Sequence, residues 1–399
     1  AYWLIDHPSP FAAVSMELIN KYHNTVADSL HQNIDSVLVG GYTVAFPDYY
    51  KYNFQQWLDR DKLFIDQCGE KMDFWSIHFY DLEFYNSKKV YRGSYMEAAF
   101  DIIDHYSMLR FGKTKPFVIS EFGGRALYME NQPWSPLRDW KQMRSITPML
   151  LQFMDRPHEM GVAVPFIIPK AEWGYDEYPY PHRLYRKANE PDSYSGDWVY
   201  TEMVKFYQLW KDVNGTRVDS WSSDLDVLVD AYVNENQLFV ILSNLSTTEK
   251  KIDVNLFGNS NKNIQGATVR HLYLNNNTNA PVLEESNPAE LKSITLAREA
   301  SMVIIVNYDQ PLEITELSKE NRYYADKYLQ AIEANQTMQF NVNQVALGTN
   351  GEAVLRLGIG RPYAYSRVPM VKVNGNPIQV PEKSWKGYDQ KDHYYFFGV

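Results

Sequence analysis

The hydrophobic positions in the first half of the chain follow two alternating periods. From Pro10 to Asn33, the residues Phe11, Val14, Leu18, Ile19, Tyr22, Val26 and Leu30 recur every three to four positions. That spacing predicts an amphipathic helix, with Ser9-Pro10 as its start signal. Asp35 to Tyr42 (DSVLVGGY) reads as a β-branched strand ending in glycines. A helix over Asn53 to Cys68 follows, with Phe54, Trp57, Leu58, Phe64 and Ile65 on its apolar side, then a strand over Met72 to Asp81 and a helix over Tyr95 to Leu109. Pro116 to Arg125 (PFVISEFGGR) is a short buried strand that delivers Glu121 at its end, before a glycine turn. Leu137 to Met160 predicts a long helix broken near Asp155-Arg156-Pro157. Val162 to Pro169 is a strand that releases Lys170, Glu172 and Trp173 into a loop, and Tyr200 to Val213 is a last helix. Strands alternating with helices imply parallel βαβ units, as a doubly wound sheet or a barrel, covered on both faces and polar at the strand ends.

After Gly215 the period shortens. Leu225–Val233, Gln237–Asn244, Lys250–Leu256, Ala267–Leu274, Ile294–Leu296 and Ser301–Asn307 are short alternating runs separated by Asn, Gly, Ser and Pro. This predicts an antiparallel sandwich. A third unit opens near Tyr323, with strands expected over Thr337–Val342, Ala353–Ile359, Met370–Val373 and Tyr394–Gly398, and a hairpin turn at Asn374-Gly375. The expected division is therefore 1–215, an α/β unit; 216–312, a β-sandwich; and 313–399, a second and truncated β-sandwich.

Composition narrows the function. The 399 residues carry a net charge of −10 and no basic cluster, which argues against nucleic acid or an anionic membrane as partner. Thirty Tyr and ten Trp supply rings for core packing or for stacking on sugar faces. The single cysteine, Cys68, excludes an intrachain disulfide framework and a Cys-based zinc site. There is no apolar run of 18 residues to span a membrane. No GxGxxG or Gly-Lys-Ser/Thr loop follows any strand, which weakens a dinucleotide- or phosphate-binding role.

Three strand ends carry a resemblance. Val39-Gly40-Gly41, Ser76-Ile77-His78-Phe79-Tyr80-Asp81 and Ile119-Ser120-Glu121-Phe122-Gly123-Gly124 resemble successive strand ends of glycoside hydrolase family 86, the β-agarases and β-porphyranases. The resemblance implies that residues 1–215 are the C-terminal half of a (β/α)8 TIM barrel of the retaining glycosidase clan, followed by antiparallel β-sandwich domains. It places the nucleophile on Glu121, with His78 and Tyr80 orienting it or touching sugar, and Trp173 as an aromatic floor. Arg125 is a candidate for lowering the Glu121 pKa or binding hydroxyls or sulfate, and Lys170 for binding the polymer. No metal or cofactor is implied, since two carboxylates suffice. The clan's acid/base glutamate follows Asn upstream of the nucleophile, so it is expected before Ala1. Asn189-Glu190-Pro191 comes after the nucleophile and Glu17 lies within a helix, so neither fits. The implied substrate is agarose or porphyran, cut within the chain at β-1,4 linkages by a secreted or cell-envelope enzyme, with the 399 residues alone inactive. Two alternatives stay open: another retaining barrel glycosidase such as a xylanase or β-xylosidase, and a non-catalytic carbohydrate-binding protein.

Overall fold

The computed structural model describes residues 13–398 except 175–176, 258–261, 347, 349, 363, 367 and 388–394. Helix α1 (Met16–Asn33) starts where the Ser15 hydroxyl accepts the amide of Leu18 at 3.3 Å. The expected start at Ser9-Pro10, with Phe11, lies outside the described residues, as does Tyr394. Strand β1 (Gly40–Val44) begins later than Asp35 because the Val39 amide is taken by the Asp73 side chain at 2.8 Å. The helix expected from Asn53 passes through a π-helical turn, Trp57–Lys62, into α2 (Leu63–Cys68). The single strand expected over Met72–Asp81 is split at His78 into β2 (Phe74–Ile77) and β3 (Phe79–Glu83), and β4 (Lys88–Lys89) folds back on β3.

Helix α3 (Ser94–Phe111) leads to β5 (Phe117–Ala126) and the single turn α4 (Leu127–Glu130). The long helix expected from Leu137 is two, α5 (Pro136–Met143) and α6 (Ile146–Met154). They part at Ser145, whose hydroxyl donates to Asp81 (2.7 Å) and accepts from Arg92 (3.0 Å). Strand β6 (Met160–Pro165) completes the parallel part, in which β1, β2–β3, β5 and β6 are neighbours in chain order. Trp75, Ile77, Phe79, Phe117, Ile119 and Phe122 join one buried core with the helices. In it Phe100 packs on Phe117 (4.8 Å) and Phe153 on Phe122 (4.9 Å). β6 departs from the expectation of full cover: it is an edge strand, and Val162 and Val164 are 50% and 45% exposed.

The stretch read as a loop after Lys170 contains an antiparallel pair, β7 (Tyr185–Lys187) and β8 (Trp198–Tyr200). Tyr200, expected to open a helix, belongs to β8. The next residue, Thr201, is tied back to the Leu184 carbonyl at 2.8 Å, so α7 spans only Val204–Trp210.

Eight strands follow: β9 (Thr216–Val218), β10 (Val227–Asn234), β11 (Gln237–Asn244), β12 (Lys250–Ile252), β13 (Ile264–Asn275), β14 (Ala280–Ser286), β15 (Ile294–Leu296) and β16 (Ser301–Tyr308). Six of them form one sheet in the order β14-β13-β16-β11-β10-β9, and β12 pairs with β15. The sheet is buried on both faces, as the two-residue period of its strands requires. Phe239, Ile241, Val303 and Ile305 enter the core shared with the parallel part. Val240, Leu242, Met302, Ile304 and Val306 enter a second core with Ile252 and Leu296 of the β12–β15 pair.

Beyond Leu312 the described residues form two ribbons, β17 (Gly358–Arg361) with β20 (Tyr395–Gly398), and β18 (Val371–Val373) with β19 (Asn376–Ile378). Asn374 and Gly375 turn the second ribbon with φ of 51° and 84°, as expected of a type I′ hairpin. The strands expected over Thr337–Val342 and Ala353–Ile359 are a correction: only the Ala325–Val342 bridge and the start of β17 at Gly358 are paired. Their alternating residues Met338, Phe340 and Val342 are exposed, so period alone did not produce a ladder. The segment is instead pinned to α3, through Tyr328 on Tyr106 (4.8 Å) and Arg356 on Asp101 (2.9 Å).

Candidate active site

Strict alternation along β5 would place Glu121 with Phe117 and Ile119, on the face covered by helices. The ladder shows why it is not there. The pairs Ser76–Val118 and Phe79–Phe122 leave β5 one residue longer than β2–β3 between them, and the pairs Ile119–Ala163 and Phe122–Pro165 do the same against β6. A bulge at Ser120-Glu121 therefore shifts the parity, so that Phe122 takes over the helix-facing role and Glu121 is turned off that face. The expected glycine turn is not a turn, because β5 runs on to Ala126. Gly123 holds φ at 151°, and a Cβ on Gly124 would lie 2.6 Å from the Lys141 carbonyl of α5. Glu121 sits at the level where β6 ends, while β3 and β5 continue beyond it as a pair.

His78 and Tyr80 share the other parity of β2–β3 from Trp75, Ile77 and Phe79, and both reach the carboxylate. Tyr80 Oη donates to Glu121 Oε2 at 2.6 Å, and His78 Nδ1 lies 3.2 Å from the same oxygen. His78 Nε2 is 2.8 Å from Ser120 Oγ. A ring with its proton on Nδ1 satisfies both contacts, donating to Glu121 and accepting from Ser120. Burial pushes the Glu121 carboxyl up, but the His78 and Tyr80 hydrogen bonds, with the nearby Arg125 charge, outweigh it and hold the group below its ordinary range. Burial, and then the hydrogen bond to Glu121, raise the Tyr80 phenol far above its usual value. Glu121 keeps 36% of its side chain exposed, so a ligand can reach it.

Arg125 lies over the Tyr80 ring (5.8 Å), but its fork is held by Glu130 at 2.7 and 2.6 Å. His182 Nε2 stands 3.5 Å from the same buried glutamate, and its own burial lowers its pKa. Trp173 is 60% exposed and stacks on Tyr180 at 4.7 Å. Tyr180 meets Phe166 at 6.0 Å, and Phe166 meets Tyr80 at 6.1 Å, so an aromatic line joins Trp173 to the carboxylate. Lys170 stands apart from this group, over the rings of Trp198 (4.7 Å) and Tyr185 (5.8 Å). The sequence thus singles out Glu121, His78, Tyr80, Arg125 and Trp173, but not the residues that link them. Glu130, Tyr180, His182 and the hydroxyl of Ser120 carry no local signal, because their roles depend on contacts between distant strands.

Two other glutamates have structural partners. Glu190 is buried and gripped by Arg183, from Nη1 at 3.1 Å and also from Nη2, while Glu17 sits in the first turn of α1 beside Ser15. Among the described residues no three His, Cys, Asp or Glu side chains are placed to hold a metal ion. Among them, too, no helix is long and apolar enough to cross a membrane.

Fold and site together define an α/β protein with a carboxylate-centred site at the C-terminal side of a parallel sheet, built into antiparallel β-structure. Residues 226–330 match the family model for porphyranase β-sandwich domain 1, and residues 339–399 that for the β-porphyranase A C-terminal region. A funoran endo-β-hydrolase of Wenyingzhuangia aestuarii is 47% identical over 96% of this chain and 53% of its own length. The crystal structure of BuGH86 with neoagarooctaose superposes with a TM-score of 0.96 at 36% identity, over 100% of this chain and 64% of that one. A family 86 β-porphyranase of the gut bacterium Bacteroides plebeius gives 0.85 at 29% identity, over 96% of this chain and 67% of that one. The chain spans about half the length of the curated relatives it matches. It belongs to glycoside hydrolase family 86.

Proposed function

We propose that this chain carries the nucleophile of a retaining, endo-acting glycoside hydrolase that cuts β-1,4 linkages of a red-algal galactan, agarose or porphyran. The observation that carries the reading is the Glu121 carboxylate, kept ionised by Tyr80 and His78 and open to a ligand. Both neighbours bind Oε2, which leaves Oε1 to attack. The Oε1–anomeric carbon bond forms as the glycosidic carbon–oxygen bond breaks, and the leaving hydroxyl takes its proton from a second carboxylic acid. Water then hydrolyses the glycosyl-enzyme. A retaining site needs that second carboxyl roughly 5 Å from the first. Glu130 and Glu190 are each held by an arginine, so neither is given the role, and Glu121 is the catalytic group placed on this chain.

On this reading the four sequential parallel strands are half of a (β/α)8 barrel, and the chain divides near residues 215 and 312. Trp173 offers a floor for a sugar beside the carboxylate, and Arg125 stands over the Tyr80 ring on the same side of the site. A polymer substrate implies export to the cell surface or the medium. Support also comes from the relatives, one named a funoran endo-hydrolase and one solved with neoagarooctaose. The test is digestion of agarose and porphyran by the full-length protein with and without Glu121→Ala. Cleavage should fall by three or more orders of magnitude and return with azide as a glycosyl azide. Undiminished cleavage by the variant would remove Glu121 from the mechanism.

A further inference from the structure

The β7–β8 pair has two chemically different faces. Arg186 turns inward, its guanidinium 3.9 Å from the Trp134 ring centroid and its Nη1 donating to the carbonyls of Lys187 (2.9 Å) and Ala188 (3.0 Å). The connecting loop is locked at its base by the Arg183–Glu190 pair, and Lys187 N donates to Glu190 at 2.8 Å. The opposite face carries Tyr185 and Lys187 on β7 and, directly across the ladder, Tyr200 and Trp198 on β8. The two tyrosines stack at 4.7 Å and 27°. Lys187 and Lys170 both stand over Trp198, at 4.3 and 4.7 Å.

Those two lysines decide what the face can bind. In a chain of net charge −10, and among the described residues, neither has a carboxylate within ion-pairing distance. Two unpaired ammonium groups brought to one indole ring repel each other, and an anion placed between them would remove that cost. The flat rings next to them, Tyr200 exposed and Tyr185 and Trp198 half-buried, suit the C–H faces of sugars. The pair is also placed for a polymer. Phe166 N bonds Phe122 O at the level of Glu121, and Tyr185 N bonds Pro169 O three residues later in the same segment, at most about 10 Å away by chain reach.

We propose that this face is an outer subsite for a sulfated galactan, with Lys170 and Lys187 reading a sulfate ester and Tyr185, Trp198 and Tyr200 stacking on the sugars that flank it. The proposal rests on the chain belonging to a galactan hydrolase, and it deepens that reading by assigning a preference for sulfated over neutral stretches. The test is binding rather than cleavage, so it can fail or succeed independently of Glu121. Full-length protein carrying Glu121→Ala is run by affinity electrophoresis through gels containing porphyran, or the same porphyran after alkaline removal of its 6-sulfate. Adding Lys170→Gln and Lys187→Gln should weaken porphyran binding about tenfold and leave the desulfated polymer within about twofold. Trp198→Ala should weaken both. Should that variant unfold the hairpin, Lys187→Gln alone carries the test, with a smaller loss confined to porphyran. Unchanged porphyran binding in the lysine variants, or an equal loss on both polymers, would overturn the proposal. Equal loss would mark the lysines as a latch for Trp198. If Glu121→Ala still cleaves while the lysine effect holds, the nucleophile assignment fails and the subsite stands.

Discussion

At the scale of residues, the site is a carboxylate whose charge is set by two hydrogen bonds to one oxygen. Tyr80→Phe removes the 2.6 Å bond to Glu121 and leaves the ring in place. Because that bond holds the carboxyl low, its loss raises the Glu121 pKa. On the proposed reading Glu121 is the nucleophile and must be ionised, so activity is expected to fall as pH drops through that pKa. The acidic limb of kcat/KM should therefore move to higher pH in the variant, with a lower plateau. A limb that stays in place, measured on porphyran or agarose, would mean that another group controls it. Glu121, His78 and Tyr80 were legible in the sequence because an apolar strand ending in polar residues is a local pattern. Glu130 was not, since only the folded chain brings it between Arg125 and His182.

Elements were legible where one period ran unbroken and illegible where it was interrupted. α3, β11 and β15 fall close to their expected bounds. β7, β8 and β9 are three residues each, too short to show alternation, and α5 and α6 part at a serine drawn away by Asp81 and Arg92. The bulge in β5 is the case with most consequence, because counting from Phe117 and Ile119 puts Glu121 on the wrong face. Deleting Ser120 would remove the extra residue, so that Glu121 follows Ile119 directly, takes the parity of Val118 and stays off the face covered by α3 and α6. A measurable fraction of the activity should then survive, since the carboxylate still faces Tyr80 and His78, and Phe122 should stay in the core. Ser120→Ala keeps the count and loses only the contact to His78, so it should retain a measurable fraction of the rate. Complete loss of activity in the deletion variant beside an active Ser120→Ala would contradict this parity.

At the scale of the whole molecule, the parallel part and the six-stranded sheet share a core and a charged seam. Glu299 bridges them, accepting from Arg92 and Arg144 at 2.7 Å each, with all three largely buried. Burial raises its carboxyl pKa, but the two arginines outweigh that and hold it below the usual range. Its contribution is thus complete above the ordinary glutamate pKa and is lost as pH falls through the lowered one. Glu299→Ala removes one carboxylate from each of two arginines, which keep Asp81 and Glu83, and should cost about 2 kcal/mol in urea unfolding near neutral pH, with less difference in acid. Wild type should unfold in one transition seen alike by tryptophan fluorescence and far-ultraviolet circular dichroism. Two separated transitions would contradict the shared core. The sheet with two buried faces also bears on how such a protein can be recombined. Along β11, Phe239 and Ile241 answer to the helices of the parallel part, and Val240 and Leu242 to the sandwich, so one strand carries two interleaved inheritances. A sandwich transplanted from a relative would bring one of them intact and the other matched to a host it has left.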